Sequence, residues 1–228
     1  MAKKTLVISL GGSKIVPDNV DLTFLQEFKR IIVKHSKDTK FVVVCGGGSV
    51  ARKYIEALKK DKKSDYLQSM IGISVTRFNA RFMSYLFGID PEKGIPTDMK
   101  EVENLLKKND FVFCGGLRYA PDQTSDTTAA RLANHLSAKF INITNVKGVY
   151  TSDPKKDKSA EFVEKISWKD FNSMANKVKF SAGQHFVLDQ SSAEEIMKHK
   201  ITTNIIGNLR EFEKILTEKP FIGTTISG

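Results

Sequence analysis

The sequence predicts a three-layer α/β/α domain on a mainly parallel sheet, and two observations carry that expectation. Apolar, β-branched runs alternate with segments of helical period, the pattern of successive βαβ units. Three of the runs end in glycine clusters: TLVISL before Gly11-Gly12-Ser13, FVVVC before Gly46-Gly47-Gly48-Ser49, and FVFC before Gly115-Gly116.

Strands are expected at 5–10, 41–45, 111–114, 139–143 and 202–206. Their near-continuous apolarity implies burial on both faces. A helix is expected over 22–35, where Leu25, Phe28 and Ile32 share a stripe and Thr23 and Gln26 are spaced as a capping box. Another follows the second glycine cluster, over 49–60, and a third spans 66–87 with Leu67, Ile71, Val75, Phe78, Phe82 and Leu86 at helical spacing. Further helices are expected at 98–108, 124–137, 190–199 and 209–217, with a polar, proline-containing loop at 151–160. The chain, 1–228, reads as one domain with a soft division near 137 and no linker.

Composition narrows the function classes. With 228 residues, 40% of them hydrophobic, the chain is long enough to bury a core without disulfides or structural zinc. Its two cysteines, Cys45 and Cys114, lie in no metal-ligand pattern and read as neighbouring, unbonded thiols at strand ends. His35, His135, His185 and His199 share no ligand spacing, so no side chain is assigned to a metal. The N-terminal apolar run is too short for a signal sequence, and no stretch of eighteen apolar residues occurs, so a cytoplasmic protein with no membrane partner is expected. The net charge of +10 is spread in short clusters such as Lys59, Lys60, Lys62 and Lys63, with few interleaved aromatics. That distribution suits small anions better than a nucleic-acid surface.

The recurrence of the glycine clusters points to chemistry. Strands of a parallel sheet end at one edge, so the three turns should meet in one crevice and present bare backbone N–H groups. Helices that start after such turns add the positive ends of their dipoles, which suits phosphates. None of the turns fits the GxxxxGK[ST] loop or the GxGxxG dinucleotide pattern with its distant acid.

SLGGSKIVP, VVVCGGGSVARKYIEA, IGISVTRFNARF, GG…TSDTTAARLA, ITNVKGVYTSDPKKD, SAG…VLDQ and the closing IGTTI together resemble the amino-acid kinase family, and within it the archaeal-type UMP kinases. The resemblance runs over essentially the whole chain. It implies a carbamate kinase-like, Rossmann-like fold, phosphoryl transfer from ATP to UMP with Mg²⁺, and a homo-oligomer, a hexamer in relatives of this kind. It divides the chain into an acceptor part, about 1–137, and an ATP part, about 138–228.

Residue by residue, the resemblance places Ser9, Leu10, Gly11, Gly12 and Ser13 around the ATP phosphates and the transferring group, with Gly47 and Arg52 on the same side. Thr144, Asn145, Tyr150 and Asp153 fall around the adenosine. Gly46, Ser69, Gly115, Gly116, Gln123, Thr124 and Ser125 fall on the UMP side. Lys14, Arg52 and Asp126 are the catalytic candidates, since two polyanions in line need their repulsion neutralised. Each has a plainer reading: Lys14 and Arg52 as surface cations, Asp126 as a carboxylate complementing a helix N-terminus, Tyr150 with Asp153 as turn chemistry.

The sequence also departs from the pattern. Ser9 stands where many members carry a lysine, which makes Lys14 the substitute candidate. Ser69 replaces an aspartate that bonds the acceptor ribose, Lys147 replaces an acid, and the loop Leu117 to Gln123 is about two residues longer than in close relatives. Two alternatives stay open: a family kinase for another phosphate or carboxylate acceptor, and a non-catalytic nucleotide-binding or storage relative. The absence of a histidine shortly after Gly48 argues against the isopentenyl phosphate kinases.

Overall fold

The computed structural model describes residues 3–91, 94–121, 123–154, 157–177 and 187–228. His185 and the SAG stretch at 181–183 lie outside them, as does part of the 151–160 loop.

The elements run β1 (Lys4–Leu10), α1 (Gly12–Ile15), α2 (Leu22–His35), β2 (Thr39–Cys45), α3 (Gly48–Lys60), α4 (Asp65–Leu86), α5 (Met99–Lys108), β3 (Phe111–Cys114) and α6 (Ser125–His135). The second half adds β4 (Lys139–Ile143), β5 (Val149–Tyr150), β6 (Phe162–Val163), β7 (Lys165–Ile166), α7 (Trp168–Lys177), α8 (Gln190–Lys198), β8 (Thr203–Ile206), α9 (Leu209–Leu216) and β9 (Thr224–Ile226). All five expected strands and seven expected helices are present to within a few residues at their ends. The short strands β5, β6, β7 and β9 and the helices α1 and α7 were not anticipated; strands of two or three residues and a four-residue helix carry no readable period.

The central sheet has the order β3-β2-β1-β4-β8-β9-β7. Every pairing from β3 through β8 is parallel; β9 runs antiparallel to β8, and β7 pairs parallel with β9, so these two strands run opposite to the other five. Alternate side chains fill two separate layers. Val7, Val42, Val44, Val112 and Phe140 pack against α5, α6, α7 and α8. Ile8, Leu10, Phe41, Val43 and Ile141 pack on the other face against α2, α4 and α9. That two-sided burial is the reason these strands read as unbroken apolar runs.

One local expectation is corrected. The N-cap of α2 is Asp21, whose carboxylate accepts from the Phe24 N–H, in place of a capping box from Thr23 and Gln26. Cys45 and Cys114 are neighbours, as expected, on adjacent strands, with their thiols on opposite faces of the sheet. Both are buried and free. Burial pushes the Cys114 thiol up to about 12, so neither is a nucleophile at neutral pH.

Candidate active site: glycine turns meeting over the ends of five parallel strands

The strand order decides where the turns go. The chain leaves β1 toward β2 and β3, then returns to the other side of β1 with β4. β1 and β4 therefore flank the switch point, where a crevice opens beyond the strand ends. Register brings Leu10, Cys45 and Ile143 level with one another, and Ile143 level with Ile206, so their following turns emerge at one height.

The first two turns touch. A Cβ on Gly12 would stand 2.1 Å from the Gly48 nitrogen and 2.6 Å from the Gly46 oxygen, so only glycine allows this approach. The third turn joins them through α4. A Cβ on Gly115 would lie 2.5 Å from the Arg77 nitrogen, and Thr76 contacts both Gly47 and Gly116. No side chain caps α3, whose N-cap is Gly47. Its first N–H groups are left for a ligand or solvent, an arrangement suited to an anion.

Three polar residues of α4 hold the acceptor-side backbone. The buried Asn79 amide donates to the Gly46 carbonyl at 2.7 Å. Thr76 Oγ1 accepts from the Gly116 N–H at 2.8 Å. Arg77 Nε donates to the Gly116 carbonyl at 2.9 Å, and its Nη2 donates to the Leu117 carbonyl. The Gly116 amide, expected to face the acceptor, is thus engaged by Thr76. Asn79→Leu should destabilise the protein by about 1–3 kcal/mol, since it strands a buried carbonyl. Chemical denaturation measures this, and a wild-type midpoint would show that the bond contributes nothing.

Asp126 and Ser9 meet on the opposite face of the rim. The Ser9 hydroxyl donates to Asp126 Oδ1 at 2.5 Å. Burial, assisted by the nearby Asp189 carboxylate, raises the Asp126 carboxyl to about 7 against the opposing pull of Ser9. Asp189 was not singled out from sequence, yet it ties the two halves of the rim. As N-cap of α8 it accepts from the Ser192 N–H at 2.8 Å and the Ser192 hydroxyl at 2.6 Å. It also accepts from the Thr124 and Thr127 hydroxyls of α6. Thr124 in turn caps α6 in a capping box with Thr127.

The remaining predicted residues divide between the two sides. Asn145 donates to Ser13 Oγ at 2.9 Å, which joins the first glycine turn to the segment after β4. The Thr144 N–H bonds the Ile206 carbonyl at 2.9 Å, and Tyr150 lies in the β5–β6 hairpin with its ring 5.4 Å from Phe162. Asp153 follows that hairpin strand, and the Asp157 N–H bonds its carbonyl at 2.9 Å. Ser69 is part-buried on α4, Arg52 is exposed at the start of the second turn of α3, and Ser125 opens α6. The Gln123 side-chain oxygen, in the orientation that satisfies its neighbours, accepts from Arg131.

Lys14 behaves differently from the expectation. Its ammonium donates to the Gly207 carbonyl at 3.1 Å and sits 5.6 Å above the Phe24 ring. Burial lowers its pKa, partly offset by Asp21. These partners lie on the α2–α9 side of the sheet, whereas Ser9 and Asp126 lie on the α6 side.

The pattern of the amino acid kinase family matches residues 4–207, a span that includes all the turns described. The chain belongs to the amino acid kinase family. The uridylate kinase of Thermococcus kodakarensis is 34% identical over 203 residues, 89% of either chain. The crystal structure of uridylate kinase from Archaeoglobus fulgidus superposes with a TM-score of 0.83 at 34% identity, covering 97% of this chain and 99% of that one. The UMP kinase of Ureaplasma parvum, 21% identical, shares the fold with a TM-score of 0.81 over the full length of both chains. Within this family member the polar residues of α4 carried a signal that could have been read: Thr76 and Asn79 lie three positions apart, on one face beside the apolar Val75, Ala80 and Met83.

Proposed function

We propose that the chain is a UMP kinase, transferring the γ-phosphoryl group of ATP to UMP and giving ADP and UDP. The observation that carries this reading is the position of the Gly11–Gly12 turn. It lies between the acceptor-side residues on β2, β3 and α4 and the donor-side residues after β4, in contact with Gly46–Gly48. A phosphate oxygen of UMP attacks the γ-phosphorus, the bond from that phosphorus to the β–γ bridging oxygen breaks, and the electron pair leaves on ADP. The chain's task is to hold both anions in line and offset their charge, with little covalent work.

In this reading the N–H groups of Gly12 and Ser13 and the N-terminus of α3 face the transferring group, while the Gly11 N–H is held by the Ile143 carbonyl at 3.3 Å. Arg52 adds an exposed cation from the second turn of α3. Gly46, Ser69, Gly115, Thr124 and Ser125 line the acceptor side, and Thr144, Asn145, Tyr150 and Asp153 the donor side. Ser9 positions Asp126, whose carboxylate is available to orient a cation.

The described residues also fit Mg²⁺ in the manner usual for nucleotide kinases. They contain no cluster of three acidic or histidine ligands, so the ion would be held by substrate phosphates, water and at most Asp126. Bound there, it would offset charge on the phosphate oxygens. We infer further that the protein is cytoplasmic and a homo-oligomer, a hexamer by resemblance; exposed Phe78 and Tyr85 on α4 supply apolar surface for such contacts.

A panel of nucleoside monophosphates with Mg-ATP, resolved by product chromatography, tests the reaction. UMP is expected to be the preferred acceptor. Transfer only to another phosphate or to a carboxylate would favour the alternative that Ser69 motivates. ATP binding without transfer to anything would favour a storage protein.

A further inference from the structure

Lys14 closes a ring of contacts beside the first glycine turn. That turn continues into the short helix α1, which carries Ser13 and Lys14 side by side. The Ser13 hydroxyl accepts from the Asn145 amide at 2.9 Å, and the Lys14 ammonium donates to the Gly207 carbonyl at 3.1 Å. Gly207 in turn abuts the backbone that follows Asn145. A Cβ added to it would stand 2.8 Å from the Val146 oxygen and 3.3 Å from the Lys147 Cα. Ser13, Asn145, Val146, Gly207 and Lys14 thus form a closed ring of peptide links, hydrogen bonds and one backbone contact.

The sheet alone does not hold this region. The parallel ladder between β4 and β8 ends where the Thr144 N–H bonds the Ile206 carbonyl, and Asn145, Val146 and Gly207 lie past that point. Their place relative to the glycine turn therefore depends on the ring. Asn145 is exposed, so its bond to Ser13 competes with water, whereas the Lys14 ammonium is half-buried and its bond is charge-assisted. Charge-assisted bonds are the stronger class, which makes Lys14 the firmer of the two links.

The surroundings of Lys14 do not suit a phosphate. A cavity of about 340 Å³ adjoins it, lined also by Asp21, Phe24, Glu27, Asn208 and Leu209. Two acids line that cavity with a single lysine, so it carries more negative than positive charge and disfavours a polyphosphate. The ammonium is left with a mechanical task, which is to hold the Gly207 turn at a set distance from α1.

We propose that Lys14 is a positioning residue for the donor nucleotide: by holding Gly207 it sets the span between the phosphate-facing turn and the adenosine-side segment 144–150. A nucleoside triphosphate bridges both places, so a span fixed in advance lets its two ends bind without further ordering of the chain. A ligand that touches only one of the two places gains nothing from the ring. The proposal rests on the donor side of the reading above, with phosphates at Gly12 and Ser13 and adenosine past β4.

Calorimetric titration of the full chain with ATP, with inorganic tripolyphosphate and with UMP tests this independently of turnover. Lys14→Met keeps the length of the side chain and removes its donor. It should weaken ATP binding about 10-fold while tripolyphosphate and UMP bind as to the wild type. Unaltered UMP affinity also shows that the variant is folded. Lys14→Arg restores a cationic donor, for which the adjoining cavity leaves room, and should return ATP affinity to within about 3-fold of wild type. In steady state, KM for ATP should rise about 10-fold in Lys14→Met while kcat falls only a few-fold. A parallel loss of tripolyphosphate affinity would overturn the proposal, because Lys14 would then touch phosphate itself. An equal loss for UMP, unaltered ATP binding in Lys14→Met, or no rescue by arginine would overturn it too. Loss of ATP affinity in Lys14→Met with no phosphoryl transfer by the wild type would instead remove the kinase reading and leave the positioning role standing. Transfer to UMP by the wild type, with ATP affinity unaltered in Lys14→Met, would do the reverse.

Discussion

Gly12→Ala should abolish turnover and lower stability at once, the largest effect expected from a single methyl group in this protein. The new Cβ would fall 2.1 Å from the Gly48 nitrogen and 2.6 Å from both the Gly46 oxygen and the Gly47 carbonyl carbon. Every one of these neighbours is backbone, so no side chain can swing aside; the two turns must separate. Overpacking of this kind costs about 1–3 kcal/mol, and more where the backbone has to move. Separation also displaces the N–H groups that face the transferring phosphoryl group, and loss of one such preorganised donor typically slows turnover by ~10²- to 10³-fold. Steady-state kinetics with thermal unfolding measure both. Turnover within a few-fold of wild type would mean that contact between the first two turns is unnecessary for the reaction. Gly88 provides the contrast: its φ of 75° favours glycine, but no atom lies within 4 Å of an added Cβ, so alanine there should cost stability modestly and leave turnover alone.

The second large effect is expected at Asp126. Asp126→Asn keeps the shape of the side chain and removes its charge, so turnover should fall by ~10²-fold or more if the carboxylate orients a cation beside the first glycine turn. The same variant should alter the dependence of stability on pH. The carboxyl titrates near 7 in the folded chain, against an ordinary value of 3.8. Between roughly pH 4 and 7 the folded state therefore holds a proton that the unfolded state has released. Stability contributed by this group falls as pH rises through that window and is level above it. The total change is at most about 4 kcal/mol. The asparagine variant lacks this slope, so free of nucleotide it should match the wild type near pH 4 and exceed it in melting temperature at pH 8. A gain in stability with a loss of turnover is the mark of a group strained for function. Wild-type kinetics, or an unaltered slope of stability against pH, would show that Asp126 is only a helix-terminal carboxylate.

Much of the fold was legible because its signals are local. Continuous apolar runs at 41–45 and 139–143 require burial on both faces, and the glycines that end three runs require turns where a Cβ cannot fit. Those facts suffice for a parallel sheet with phosphate-suited loops. The capping of α2 was misread because Thr23 and Gln26 have the right spacing, while Asp21, two residues earlier, reaches the open N–H of Phe24 first. The small strands β5, β6, β7 and β9 went unread because two or three residues show no period, and they exist only where neighbours supply their hydrogen bonds.

The candidate site was legible in part and for the same reason. Glycine turns, Arg52 and Asp126 sit in local motifs. The residues that arm or brace those motifs do not. Asp189 lies 63 positions beyond Asp126, and its charge acts on that carboxyl only because α8 is packed beside α6. Asn79 and Thr76 look like ordinary polar positions on a long helix until α4 is laid against the second and third turns. Lys14 follows a glycine turn and so reads as a phosphate ligand, yet folding places Phe24 and Gly207 around it instead. Spacing along a chain dictates which backbone shapes can form and which side chains share a face, because those are matters of steric period. Which carboxylate meets which hydroxyl, and which lysine keeps a free ammonium, is settled by strand order and helix packing, since electrostatic and hydrogen-bonding energies depend on distance through space.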